Sequence, residues 1–191
     1  MMTQTHLIFG LAAFGKPDSA KVTTAALIGA LLPDLSLYAM AGWHLFVLET
    51  SPDVVFNQLY FSEAWHSVFR IDNSILLWGL ALVLSVMLKS KVAFALCGAA
   101  LLHLFLDFPL HHDDGRAHFW PITTWIFESP VSYWDDRHFG HVVAPVEIIA
   151  SLVACLYIFR KWAGRKMRVF VSLLAALQFT ALFGSLFRLL A

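Results

Sequence analysis

Residues 92–110 read VAFALCGAALLHLFLDFPL, and this stretch determines how the rest of the chain is interpreted. The run is close to the roughly 20 apolar residues that an α-helix needs to cross the hydrocarbon of a bilayer. Its only histidine and its only acid are His103 and Asp107, near the carboxyl end. Ionisable groups are costly in lipid and are by default functional, paired or metal-bound there. The stretch therefore predicts a membrane helix that carries a polar site.

The composition of the whole chain agrees with a membrane location. Of its 191 residues, 59% are apolar and 14% are charged, whereas soluble domains average about 45–50% and about 25%. So few charges could not cover the surface of a water-soluble protein of this size. Lys and Arg number 13 together, as do Asp and Glu, so no basic field exists to bind nucleic acid. Cys97 and Cys155 both lie in apolar runs, which excludes a disulfide framework.

Other apolar stretches set the number of helices. Residues 22–48 are apolar but are interrupted at Pro33-Asp34, and proline removes a helical hydrogen bond, so a kink or chain break is expected there. We predict an all-α fold: a polytopic membrane helical bundle with about four full spans and a broken N-terminal helical hairpin, forming a single integral membrane domain over residues 1–191. Besides 92–110, the predicted spans are residues 74–88, 142–159 and 169–187.

Basic residues predict the orientation of these spans. Lys16 and Lys21 flank the first turn, Lys89 and Lys91 share another, and five basic residues fill positions 160–168. The positive-inside rule places all three connections in the cytoplasm. The chain is then a multi-pass protein of the bacterial inner (cytoplasmic) membrane. Its His- and aromatic-rich loop, residues 107–141, and the polar site face the periplasm.

Several ionisable groups share one predicted depth. His103 and Asp107 have i, i+4 spacing, which puts both side chains on one helical face about 6 Å apart, suited to a single cation. With a rise of about 1.5 Å per residue, Asp34, Glu147 and His6 reach a similar level in the outer leaflet. Groups from separate helices thus converge, which is the pattern expected of a metal site.

Simpler interpretations remain open for each of these groups. Asp34 alone could cap a broken helix. His103 and Asp107 alone could form a hydrogen-bonded pair, and Glu147 alone could share a proton with a periplasmic histidine. Five loop histidines could be partly a solvated loop, with about two of them functional. They are His111, His112, His118, His138 and His141.

At these positions the sequence resembles a known group, the YdjM-like family of LexA-regulated inner-membrane proteins, described as metal-dependent hydrolases. The motifs are Thr5-His6-Leu7, Leu32-Pro33-Asp34-Leu35, Trp65-His66-Ser67, His103-x-x-x-Asp107 and Trp120-Pro121. The H-x-x-x-D helix is also similar to the zinc sites of helical phospholipase C and P1-type nucleases. This resemblance implies that the metal ligands are His6, Asp34, His66, His103 and Asp107.

The chain departs from the family pattern at two places. The family usually reads P-D-x-D, whereas Ser36 stands here at the second acid. The family also has an H-R pair just before T-H-S, whereas this chain has Ser62-Glu63-Ala64 before Trp65. Both changes remove ligands or anion-binding charge.

Two functions of different classes follow. The first is a divalent-metal hydrolase, most simply zinc-dependent, that acts on a phosphoester or a lipid-borne substrate. In it, His111 joins the candidate ligands, and Glu147, Asp113 or Asp114 is the candidate general base. The second is a non-catalytic protein that binds metal or haem as an accessory or assembly factor, with a partner in a membrane complex. The lipid bilayer is the other expected partner. No binding of nucleic acid is expected.

Overall fold

The computed structural model describes residues 1–190, with side chains to residue 179. Over this range the chain forms helices and turns, and it contains no β-strand. A π-helical turn spans Val55–Leu59, and a 3-10 turn spans Asp136–His138. The helices are α1 (Thr3–Phe14), α2 (Ala20–Phe46), α3 (Pro52–Val54), α4 (Glu63–Asp72), α5 (Ile75–Met87), α6 (Lys91–Asp107), α7 (Gly140–Lys161) and α8 (Arg165–Leu190).

Three helical segments within the described residues are long and apolar enough to cross a membrane. They are Ala20–Phe46, Glu63–Met87 and Gly140–Lys161. An all-helical chain suited to a membrane is therefore confirmed, while the number of about four full spans is not. Helix α6 has only 17 residues and packs against α1, α2 and α5. Part of the predicted span 169–187 lies outside the residues whose side chains are described.

A kink or a chain break was expected at Pro33, and the chain break is wrong, because α2 continues through this proline. Carbonyl groups close to Pro33 receive hydrogen bonds from outside the helix. His103 Nδ1 lies 2.8 Å from the Ala30 oxygen, and Asn73 Nδ2 donates to the Pro33 oxygen at 2.9 Å. Donors from neighbouring helices can satisfy the backbone that proline disturbs in a membrane helix. The N-terminal hairpin is thus formed by α1 and an unbroken α2.

Small residues let α1, α2 and α6 approach closely. A Cβ atom added at Gly29 of α2 would lie 2.0 Å from the backbone oxygen of Leu96 in α6. A Cβ atom added at Gly10 of α1 would lie 2.8 Å from the Ala30 Cβ. Buried alanines fill the rest of this contact, as is typical of helices packed within membranes. The crossing brings the carboxyl half of α6 against the middle of α2.

The three basic connections meet at one end of the bundle. Lys16, after α1, lines a cavity with Lys89 and Lys91, which join α5 to α6. Lys161, at the end of α7, donates from Nζ to the Gly15 oxygen at 3.0 Å. His6 and Asp107 lie towards the opposite ends of α1 and α6. The polar groups of the predicted site are therefore separated from the basic end.

Candidate metal centre

Three buried side chains from α1 and α6 form a compact cluster. The ligand atoms of His6, His103 and Asp107 all lie within 4.8 Å of one another. His6 lies near the start of α1, and the i, i+4 pair lies in the last turns of α6. The predicted convergence of these three residues is therefore observed in the structure, and we refer to them as the His–His–Asp cluster.

The carboxylate of Asp107 is the centre of the cluster. Its Oδ1 lies 3.1 Å from His6 Nε2, and its Oδ2 lies 3.1 Å from His103 Nε2. His111 Nε2 is 3.5 Å from the same Oδ2. The ammonium group of Met1 also contacts Oδ1. Three imidazoles and one cation thus surround a single buried acid, so this position attracts positive charge.

The hydrogen bond at Nδ1 of His103 determines whether Nε2, on the opposite side of the ring, carries a proton or a lone pair. Nδ1 lies 2.8 Å from the Ala30 oxygen, and because a carbonyl only accepts, Nδ1 carries the proton. In the neutral ring, Nε2 then presents a lone pair to Asp107 Oδ2 at 3.1 Å. A lone pair facing a carboxylate is repulsive unless a proton or a metal cation lies between them. A backbone carbonyl behind the ring is also the usual outer-shell partner of a metal-bound histidine.

The two histidines of the cluster lie face to face. The ring centroids of His6 and His103 are 3.6 Å apart, with an angle of 13° between the planes. Neither nitrogen of His6, nor Nε2 of His103, makes a well-directed hydrogen bond among the described residues, although all are buried and both Nε2 atoms lie 3.1 Å from an Asp107 oxygen. Buried polar atoms are nearly always satisfied in folded proteins. A shared cation would satisfy both Nε2 atoms and the carboxylate together.

Asp34 lies at the edge of the cluster rather than within it. Its Oδ2 is 3.7 Å from His103 Nε2 and accepts a hydrogen bond from the Tyr38 hydroxyl at 3.1 Å. Asp34 also lines the adjoining cavity. The residue is therefore placed to approach a cation bound beside His103.

His66 does not belong to the group of close ligand atoms. It lies on α4, where its ring packs 5.8 Å from the ring of Phe69. Its Nε2 is buried and has no hydrogen-bond partner among the described residues. The motif resemblance joined His66 to the ligands, and the structure brings together His6, His103 and Asp107 without it.

The three candidate bases occupy different environments. Glu147 is buried on α7, where Oε1 accepts from the Met2 backbone at 2.7 Å and Oε2 has no partner among the described residues. Asp114 Oδ2 lies 2.9 Å from His111 Nδ1. Burial raises the pKa of the Asp114 carboxyl, but His111 and Arg116 outweigh it, so this pKa lies below its usual value. Asp113 is exposed.

Of the other four loop histidines, three make structural contacts and His141 is exposed. The rings of His112 and His138 stack at 3.6 Å, and His138 Nδ1 lies 2.9 Å from Asp135 Oδ2. His118 is buried, and burial lowers its pKa to about 4, so it is neutral at pH 7. Its Nδ1 lies 2.9 Å from the Asn73 oxygen. Of the five, His111 is the one that reaches the cluster.

A cavity of about 360 Å³ adjoins the cluster. Asp107 and His111 form the wall that it shares with the His–His–Asp cluster. The remaining wall is rich in hydroxyl and charged groups. It includes Asp34, Tyr38, Tyr60, Asp114, Arg116 and Tyr133. A small polar molecule in this cavity would therefore reach Asp107, the one residue of the His–His–Asp cluster in its wall, and His111 beside it.

Arg116 is a residue of this wall that the sequence interpretation missed. Its guanidinium carbon lies 4.6 Å from the centroid of the Tyr60 ring and 4.4 Å from that of Phe69. Its Nη1 donates to the Asp114 backbone oxygen at 2.8 Å. Arginine–carboxylate pairs among the described side chains involve Arg70 and Arg137, and Arg116 has none. The run HHDDGR, residues 111–116, was a signal that could have found it.

Comparison of the chain with protein-family models, with curated proteins and with solved structures finds no match.

Proposed function

We propose that the chain is a metal-dependent hydrolase of the inner membrane, and that His6, His103 and Asp107 hold one divalent cation, most simply zinc. The observation that carries this proposal is the His103 ring, whose Nδ1 donates to the Ala30 oxygen while its Nε2 faces the buried carboxylate of Asp107 at 3.1 Å. Two imidazoles and one carboxylate are a typical donor set for catalytic zinc. Zinc bound there supplies Lewis acidity and lowers the pKa of water towards neutrality.

The proposed substrate is a phosphoester, carried by a lipid or free. Arg116 supports this choice because its guanidinium lines the cavity and forms no direct ion pair with a carboxylate among the described side chains. Hydrogen bonds to the Tyr60 hydroxyl and the Asp114 backbone oxygen hold the guanidinium in place beside the rings of Tyr60 and Phe69, which favours recognition of a phosphate group. Asp114, ionised beside His111, and the unpartnered Oε2 of Glu147 are the proposed proton acceptors.

The YdjM-like resemblance is part of the same proposal. Four of its five motif ligands, namely His6, Asp34, His103 and Asp107, lie in or next to the cluster. The alternative, a non-catalytic metal-binding accessory protein, shares this centre and differs only in turnover. A haem held between His6 and His103 is disfavoured because their rings stack at 3.6 Å and leave no space for a porphyrin between them.

Turnover by the zinc-loaded protein tests the hydrolase proposal. Purified protein in detergent is assayed with a phosphomonoester, a phosphodiester and vesicles of phosphatidylglycerol. We expect hydrolysis of at least one of them, and Arg116→Gln is expected to raise KM by about 10- to 100-fold because a charge-assisted hydrogen bond contributes roughly 1.5–3 kcal/mol. Its zinc content should equal that of the wild type.

Arg137→Gln is the matched control, since Arg137 pairs with Asp135 outside the cavity. It should leave KM unchanged. Bound zinc without turnover of any of the three substrates would reject the hydrolase and favour the accessory protein.

We further propose that the cluster faces the periplasm and that the basic end faces the cytoplasm. The meeting of Lys16, Lys89, Lys91 and Lys161 at one end supports this orientation. Thr124 and Gly164 are exposed, one in each of the two faces, and Cys97 and Cys155 are buried.

Cysteine labelling of spheroplasts tests this orientation. With both native cysteines replaced by alanine, Thr124→Cys should react with a membrane-impermeant maleimide in intact spheroplasts. Gly164→Cys should react only after permeabilisation. The reverse pattern would overturn the orientation, and with it the periplasmic site.

A further inference from the structure

A second cavity lies at the basic end of the bundle and is unrelated to the metal centre. Its volume is about 280 Å³, and its wall comes from α1, α2, α5, α6 and the connections that follow α1 and α5. Apolar side chains such as Phe14, Val86 and Phe94 form most of it. Since Lys91 begins α6 and Asp107 ends it, the two sites are roughly 24 Å apart along that helix.

Three lysines line this apolar cavity. Lys16 comes from the connection after α1, Lys89 comes from the turn between α5 and α6, and Lys91 begins α6. Among the described side chains, no lysine forms an ion pair with a carboxylate. Asp18, the acid nearest to Lys16 in the sequence, does not line the cavity. Three positive charges therefore share one site without a counter-charge from the protein.

The start of α6 adds to this positive field. Lys91 is its first residue, and the Ser90 hydroxyl accepts from the Ala93 backbone at 3.2 Å. Unpaired backbone N–H groups and the helix dipole favour an anion at a helix N-terminus. The cavity thus combines anion-binding groups with an apolar wall.

We propose that this cavity binds the headgroup phosphate of an anionic phospholipid, with an acyl chain against the apolar wall. The three ammonium groups match the phosphate charge, and Phe14, Val86 and Phe94 match the hydrocarbon. Met87 and Leu88, exposed beside the cavity, continue the apolar surface along α5. A soluble anion would use the lysines but not this surface. Basic cavities between membrane helices are known to bind lipid headgroups in this way.

Lipid binding to the full chain in detergent tests this proposal. The probes are phosphatidylglycerol and phosphatidylcholine, measured by native mass spectrometry. We expect phosphatidylglycerol to bind at least about tenfold more tightly. A lysine near an anionic lipid contributes about fivefold, so Lys16→Gln, Lys89→Gln and Lys91→Gln together should abolish this preference.

A charge-matched triple variant, Lys21→Gln, Arg165→Gln and Lys166→Gln, should keep the preference, since these residues do not line the cavity. If the first triple variant is not recovered as folded protein, the three single variants, each expected to lose about fivefold, answer the same question. Equal binding of the two lipids by the wild type would overturn the proposal. Full displacement of phosphatidylglycerol by millimolar inorganic phosphate would also overturn it, because it would identify a soluble-anion site.

Discussion

Asp107→Asn should purify as folded protein with less than about a tenth of the wild-type zinc. Asparagine keeps the shape of the side chain but removes the charge that three imidazoles and the Met1 ammonium surround. Loss of an outer-shell partner already costs about 10- to 100-fold in metal affinity, and Asp107 is proposed as a direct ligand. The measurement is elemental analysis of the protein in detergent, with zinc expressed per chain.

Two substitutions control for nonspecific effects. Asp53→Asn removes an exposed carboxylate on α3 and should leave the zinc content unchanged. His44→Ala removes a histidine whose Nδ1 lies 3.3 Å from the Thr50 hydroxyl, and this variant should also keep its zinc. The variant compared with it, His103→Ala, should lose zinc. Equal zinc in all variants would mean that the His–His–Asp cluster is only a hydrogen-bonded group.

Gly29→Ala should be the most destabilising single-methyl change in the chain. Its new Cβ would lie 2.0 Å from the Leu96 backbone oxygen, and no side-chain rotation relieves a clash with backbone. Helices α2 and α6 would have to separate. Overpacking commonly costs about 1–3 kcal/mol, and we expect about 3 kcal/mol or more here, which corresponds to a fall in Tm of roughly 10 °C.

The same change should weaken zinc binding, because the α2–α6 crossing holds His103 against the Ala30 oxygen. Gly42→Ala on the same helix is the matched control, since a Cβ there meets nothing within 4 Å. It should leave Tm unchanged or slightly raised, because alanine favours the helix. Thermal unfolding in detergent, followed by circular dichroism, compares the two variants. A Tm for Gly29→Ala within about 2 °C of that for Gly42→Ala would contradict the close crossing.

The parts of the site that follow local periodicity could be predicted from the sequence. His103 and Asp107 share a helical face by their i, i+4 spacing, and the structure places both in the cluster. His6 joined them through its estimated depth and its motif, and it lies 3.1 Å from Asp107. Burial of polar residues in an otherwise apolar chain was the signal in each case.

Contacts between distant elements were the parts that local patterns could not supply. Pro33 predicted a kink or a chain break because its effect on its own helix is clear, but the donors that stabilise this region come from His103 and Asn73. Arg116 looks like one more polar loop residue until its contacts with the rings of Tyr60 and Phe69, which lie far away in the sequence, are seen. His66 matched a motif, but its distance from the cluster depends on how α4 packs.

X-ray absorption at the zinc edge of the wild-type protein tests the central claim most directly. The measurement reports the number and kind of atoms bound to the metal. The proposed centre predicts about one zinc per chain, with two imidazole nitrogens and carboxylate or water oxygens at roughly 2.0–2.1 Å. In His6→Ala loaded with excess zinc, the imidazole signal per bound zinc should fall by half. Zinc bound without imidazole, or a spectrum identical in wild type and His6→Ala, would contradict a metal site built by His6, His103 and Asp107.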